Sequence, residues 1–355
     1  MSKRIVYCAD GTWQAPMNNT NVYRLYKALL VSSDQVTFYD DGVGADATGL
    51  DRLVEGAFGQ GLVQKVLDGY TKIAHVYSPG DQIYLFGFSR GAFTARSLGG
   101  MIAGCGLPSG SFTDDCVTQA FAAYRDPANR AGILSGLGAC GLADATITMI
   151  GVWETVGSLG IPAIFGGIDV SKFGFLDTRL HPDVKHAYHC LAIDEQRAQF
   201  PATLWDPPPA PQPGQAATPT PTQTIEQIWF SGCHGDVGGG TLVGGPVDAG
   251  TRLCDITMGY MLSKAQALGL TFDPTVAAQF GTLPSEYALD AIRQSWTAPD
   301  GPPHLRPVAP GSLVSNSVAV RIQYALTYTP GNLTLNGTDL SDAYSQVTLV
   351  NTTAL

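Results

Sequence analysis

No run of this chain approaches the roughly 18–20 consecutive apolar residues that cross a bilayer as a helix. Charge is sparse: Asp, Glu, Lys and Arg make up 14% of 355 residues, and basic charge is the scarcer sign, 20 Lys and Arg against 30 Asp and Glu. A protein that neutralises nucleic-acid phosphates needs a basic stripe, so a net charge of −10 argues against such a partner. The same balance disfavours attraction to an anionic membrane surface and places no bar on a neutral ester in an apolar cleft. Seven cysteines are scattered without a C-x-x-C pair, and that odd, unpatterned set predicts reduced thiols. Met1-Ser2-Lys3-Arg4 leads into Ile5-Val6-Tyr7-Cys8, too short an apolar run for a secretory signal. The expectation is a protein made in the cytoplasm, with export by a route that needs no cleaved signal left open. His181, His186 and His189 lack the H-E-x-x-H spacing of a zinc site. The Gly-rich run 56–61 lacks the Gly-Lys-Ser/Thr ending of a P-loop. Neither a metal nor another cofactor is expected.

What is present is an alternation of strand-like and helix-like segments. Ile5–Cys8, Val36–Tyr39, Thr146–Val152 and Ile225–Phe230 read as strands, as does Gln82–Phe86. Helices are predicted over Val22–Val31, capped by Thr20, over Leu62–Tyr77, over Thr113–Tyr124 with Thr113 as cap, over Pro182–Ile193 and over Leu253–Leu268. Residues 206–224, Pro- and Ala-rich and nearly uncharged, read as an exposed insertion loop. After about residue 312 the sequence becomes alternating and Thr-rich, predicting a β-rich C-terminal segment over Val318–Tyr328 and Gln346–Val350. The pattern predicts one α/β domain over 1–355, its central sheet mostly parallel with helices on both faces.

Ser89 carries the chemistry. It stands in Gly87-Phe88-Ser89-Arg90-Gly91, after an apolar strand-like run and before the helix-compatible Ala92-Phe93-Thr94-Ala95-Arg96. Strand, tight turn and helix around G-x-S-x-G form a nucleophile elbow, which points to a serine hydrolase. Such a Ser needs a base and an acid that orients it, each on a loop at the carboxyl end of a strand. His234 follows Ile225–Phe230 and Glu154 follows Thr146–Val152, so these are the expected base and acid. Asp236 is the alternative acid, two residues past the base. The oxyanion hole is expected from the N–H of Arg90 and from Gly11 or Thr12 in Asp10-Gly11-Thr12-Trp13. Asp-Gly-Thr after a strand also occurs in aspartyl phosphatases of the haloacid dehalogenase type. Those need a further Asp two residues earlier, where this chain has Cys8. Gly157–Gly174, rich in Gly, Ile and Phe, is a candidate lid.

Four segments together resemble the catalytic domain of type VI secretion lipase effectors of the first class. They are Cys8–Trp13, Gly87–Arg96, Gly151-Val152-Trp153-Glu154-Thr155-Val156-Gly157-Ser158 and Trp229–Gly240. The resemblance covers about residues 3–325 and implies an α/β-hydrolase with phospholipase activity, Ser89 as nucleophile, His234 as base and residue 154 as acid. It also implies a lipid or other ester as substrate and secretion-apparatus or immunity proteins as partners. Short-chain or polyester esterase activity, or a silent hydrolase fold kept for binding, are the competing expectations. The chain departs from the family in carrying Glu154 where Asp is usual, and Ser315 where many members show His in a His-x-Ser-Val-x-x-Arg pattern.

Overall fold

The computed structural model describes residues 2–11, 14, 16–42, 55–108, 111–156, 178–207, 223–240, 252–325, 327–333 and 347–352. The candidate lid, most of the Pro-rich loop and Thr12 lie outside these described residues. In chain order the strands are β1 (Arg4–Ala9), β2 (Gln35–Asp40), β3 (Gln82–Phe88), β4 (Leu107–Pro108), β5 (Leu142–Ala143), β6 (Ile147–Trp153), β7 (Val184–Ala192), β8 (Thr224–Phe230), β9 (Leu313–Ser315) and β10 (Thr348–Val350). Eight of them form one sheet in the order β10-β9-β8-β7-β6-β3-β1-β2, and every pairing in it is parallel. β4 and β5 pair antiparallel beside it.

A parallel sheet needs cover on both faces. Successive residues of β1 divide between the two sides. Ile5, Tyr7 and Ala9 pack with Tyr70 and Ile73 of α2 (Glu55–Val76) and with Phe93 and Leu98 of α3 (Arg90–Cys105). Val6 and Cys8 pack with Val22 and Leu25 of α1 (Asn21–Ala28) and with Ile256 and Met258 of α7 (Leu253–Ala267); in the chain α4 (Asp114–Arg125), α5 (Arg130–Ser135) and α6 (His234–Gly238) come between α3 and α7. The short α8 (Pro274–Gln279) and α9 (Asn316–Tyr324) follow. The helix caps expected from sequence are in place: Thr20 accepts from the Tyr23 N–H and Thr113 from the Cys116 N–H.

The chain runs from β1 outward to β2, then returns to place β3 on the other side of β1. That reversal is a topological switch point, where the loops after two neighbouring strands diverge and leave a crevice at their carboxyl ends. Ala9 is in register with Gly87, and Phe88 with Trp153. Gly11, Ser89 and Glu154 therefore leave the sheet side by side.

Three expectations are corrected. Residues 184–192 form an inner strand rather than a helix, paired with β6 on one side and β8 on the other. Its carboxyl half is buried on both faces, so the apolar run shows no alternation and is indistinguishable by periodicity from a buried helix. Residues 316–324 are helical: Ser315 caps α9 by accepting from the Ser317 N–H, and Ser317, Val318 and Arg321 face inward. The alternation of Val318, Val320 and Ile322 mimics a strand, and packing overrides it. Finally, Cys116 and Cys140 form a disulfide across 24 residues, where reduced thiols were expected. The packing of α4 against the turn after α5 brings these two cysteines together, and no sequence spacing marks them as partners.

Candidate active site

Ser89 is held at φ 57° and ψ −120°, as the N-cap of α3 and without a side-chain capping bond. A left-handed backbone at a residue with a Cβ costs about 1–3 kcal/mol and persists only where the surroundings enforce it. Here the enforcement is steric. A Cβ on Gly87 would collide with the Gly91 carbonyl and Ala92 Cα, and one on Gly91 with the carbonyl oxygens of Ala9 and Asp10. The turn closes only with glycine at both places. The Ser89 N–H donates to the Trp153 carbonyl at 3.0 Å, tying the elbow to the end of β6.

Glu154, the next residue after β6, also has a positive φ of 53°. Its side chain is fully buried, and its carboxylate accepts four bonds. The Ala192 N–H donates to Oε1 at 2.6 Å, and His234 Nδ1 lies 2.9 Å from Oε2. Arg306 closes a fork, Nη1 to Oε1 at 2.8 Å and Nη2 to Oε2 at 2.9 Å. Burial works against the charge, but the Arg306 guanidinium and then His234 outweigh it and hold the carboxyl well below the usual range.

His234 opens α6, with its ring stacked on Phe88 at 4.7 Å between centroids and met edge-on by Phe200 at 5.0 Å. Burial pushes the imidazole below its ordinary value, against the pull of Glu154 and Glu195. With Nδ1–H directed at the carboxylate, the lone pair of Nε2 is left for a substrate-side partner. The His234 backbone N–H donates to Glu195 Oε2 at 3.1 Å. Glu195 in turn receives Arg197 through Nε and Nη2, both at 2.9 Å, while the Arg197 guanidinium covers the Phe200 ring at 3.6 Å.

The remaining expected residues are placed as follows. Asp236 accepts from the Cys233 N–H at 2.9 Å, the Arg293 N–H at 3.0 Å and Arg293 Nε at 2.6 Å, so its carboxylate serves the start of α6. Asp10 accepts from the Gly11 N–H at 2.8 Å, Thr20 Oγ1 at 2.6 Å and Tyr39 Oη at 2.8 Å, which sets the loop after β1. A Cβ at Gly11 would lie 3.3 Å from Ser89 Cβ, so this loop borders the elbow. Arg90 is the first residue of α3. Ser315, at the position where the resemblance has His, bonds Ser317 and Thr352 in a buried hydroxyl cluster.

Sequence reading missed Glu195 and Arg306. Glu195 had a usable signal, because Asp194 and Glu195 follow β7 at the carboxyl edge of the sheet, where the acid was sought; the helical reading of 182–193 hid it. Arg306 had none: it sits among prolines and lies 152 residues from Glu154. Among the described residues no group of three His, Cys, Asp or Glu is placed to hold a metal ion, and no helix is long and apolar enough to cross a membrane.

A parallel α/β sheet that carries a serine elbow at its switch point defines the α/β-hydrolase-like class. Within that class, the family described as "T6SS, Phospholipase effector Tle1-like, catalytic domain" matches residues 3–264, and the chain belongs to it. The chain is also similar to the uncharacterized protein YEL023C of Saccharomyces cerevisiae (strain ATCC 204508 / S288c), at 31% identity over 235 residues, 58% of this chain and 33% of that protein. The crystal structure of an uncharacterized protein from Pseudomonas aeruginosa aligns over 81% of this chain and 50% of that one, with 18% identity and a TM-score of 0.47. The chain thus spans about a third of the length of the first relative and half that of the second.

Proposed function

We propose that this chain is a serine ester hydrolase acting on glycerophospholipids through an acyl-enzyme on Ser89. The observation that carries the reading is the 2.9 Å contact between His234 Nδ1 and Glu154, with the imidazole stacked on Phe88, the residue before Ser89. In this reading Ser89 Oγ attacks the ester carbonyl while His234 Nε2 takes its proton, and Glu154 stabilises the imidazolium that forms. The Arg90 N–H, with Thr12 from the loop after β1, receives the oxyanion, since the Gly11 N–H is taken by Asp10 Oδ1 at 2.8 Å. His234 then protonates the departing alcohol, and water activated by the same imidazole releases the fatty acid. Family membership supports the phospholipid as substrate; secretion-apparatus or immunity proteins are the partners that go with this proposal.

The test is labelling with a fluorophosphonate, with mass spectrometry of the modified peptide and a parallel series of acyl esters. Labelling at Ser89 that vanishes in His234→Ala, with rates that rise as the acyl chain lengthens, supports the proposal. Rates that fall with chain length reassign the enzyme to short-chain or polyester esters. A folded protein that takes no label and cleaves no ester is a binding protein on a hydrolase fold.

A further inference from the structure

Arg306 lies beyond the family match, yet the residue is 2% exposed and its guanidinium touches the site from inside. Besides the fork on Glu154, Nη1 donates to the Ala192 carbonyl at 2.9 Å, Nη2 to the Phe200 carbonyl at 2.6 Å and Nε to the same oxygen at 3.1 Å. Each guanidinium nitrogen is thereby engaged. The groups it joins are those that frame the imidazole: the carboxylate facing Nδ1, the end of β7, and the residue whose ring meets His234 edge-on.

We propose that Arg306 is a positioning residue for the base: it fixes the Glu154 carboxylate toward His234 Nδ1 and, by pairing with that buried charge, keeps the imidazole from holding a proton too tightly to act near neutral pH. The proposal rests on the reading of Ser89, His234 and Glu154 as the catalytic set. A lone carboxylate in an apolar site, hydrogen-bonded to an imidazole, is a strong proton sink, and the proton it retains blocks base catalysis. A planar fork satisfies both carboxylate oxygens at once, which an ammonium cannot do. The Glu154 side chain carries its carboxylate to where it meets both the guanidinium and the imidazole.

Other charged and titratable groups face this pair. On the His234 side stand Glu195 and Arg197, which oppose each other, with Asp236 and Arg293 beside Gly235. Behind Glu154, burial holds His189 neutral, helped by the charge of Arg96, and keeps Cys190 as a thiol. Among the described residues the cation bonded to Glu154 itself is Arg306. Its removal leaves the Glu154–His234 pair with one uncompensated negative charge. Whichever partner then holds the extra proton, the pair binds it more tightly, so the acid limb of activity moves to higher pH.

The experiment is the rate of fluorophosphonate labelling of Ser89 from pH 5 to 9 in the full chain, with thermal melts alongside. Arg306→Met is expected to shift the acid limb up by about one pH unit, which makes labelling about tenfold slower below the wild-type midpoint. Arg306→Lys, which keeps the charge and loses the fork, is expected to leave the limb in place and slow labelling at every pH. Should Arg306→Met not fold, Arg306→Gln replaces it: it removes the charge, keeps a donor for Glu154, and is expected to shift the limb up as Arg306→Met does. An unshifted limb in a folded charge-removing variant overturns the proposal, as does an equal shift in Arg306→Lys. If His234→Ala labels as fast as wild type, the catalytic reading itself fails. If His234→Ala abolishes labelling while both Arg306 variants match wild type, the role of Arg306 alone is refuted.

Discussion

The Ser89 N–H donates to the carbonyl of Trp153, so the elbow is hydrogen-bonded to the residue immediately before Glu154. Ser89 and Glu154 both leave their strands at positive φ, 57° and 53°, and this bond joins the two strained exits across the β3–β6 pair. Strain at one exit is therefore mechanically connected to the other.

Glycine at 91 is required by contact with the backbone of Ala9 and Asp10, which cannot move without displacing β1. Gly91→Ala is expected to lower the melting temperature markedly, with overpacking that costs about 3 kcal/mol or more, and to abolish Ser89 labelling. A wild-type melt and labelling rate for this variant would show that the turn closes differently.

Glu154→Gln keeps the shape of the side chain and removes the charge that stabilises the imidazolium. Turnover is expected to fall by about 10⁴. Asp236→Asn should instead appear in the melt, because it weakens charge-assisted bonds to Cys233 and Arg293 that are worth about 2 kcal/mol each. A larger loss of turnover in Asp236→Asn than in Glu154→Gln would transfer the acid role to Asp236.

His189 is fully buried and its pKa is pushed down to about 3, mainly by burial. The unfolded chain takes up a proton near the ordinary value of about 6.5, which the folded chain refuses. This contribution to stability is present above that value and is lost as pH falls toward 3, by about 2 kcal/mol between pH 7 and pH 5. Asp10 acts in the opposite sense: burial raises it to about 6, so the folded chain holds a proton between about 4 and 6 that the unfolded chain releases. Urea unfolding at pH 7 and pH 5 should therefore give a stability difference that changes by about 2 kcal/mol in His189→Gln, toward greater relative stability at pH 5. An unchanged difference would mean that His189 takes up its proton in the folded state.

The Cys116–Cys140 disulfide closes a loop of 24 residues between α4 and the turn after α5. Intact mass without reductant should be about 2 Da below that of the reduced chain, and Cys140→Ser should cost about 2–4 kcal/mol of stability. Activity at 25 °C is expected to persist in that variant, since both cysteines lie in a small cluster with Leu137, apart from the core that holds the site. Two free thiols at these positions after purification in air would rule the bond out.

The class of fold and the placement of Ser89, Glu154 and His234 after strands were legible along the chain because each depends on a local pattern. G-x-S-x-G must follow a strand and precede a helix, and partner residues must follow strands, so neighbouring sequence suffices to nominate them. Tertiary structure decided what no local pattern encodes. The strand over 184–192 is defined by the partners on its two sides, and the helix over 316–324 by packing that overrides an alternating sequence. The disulfide exists because α4 and the turn after α5 fold back on each other. Arg306 reaches Glu154 across 152 residues because a buried carboxylate must be compensated by whatever cation the fold brings to it, and sequence separation has no bearing on Coulomb energy.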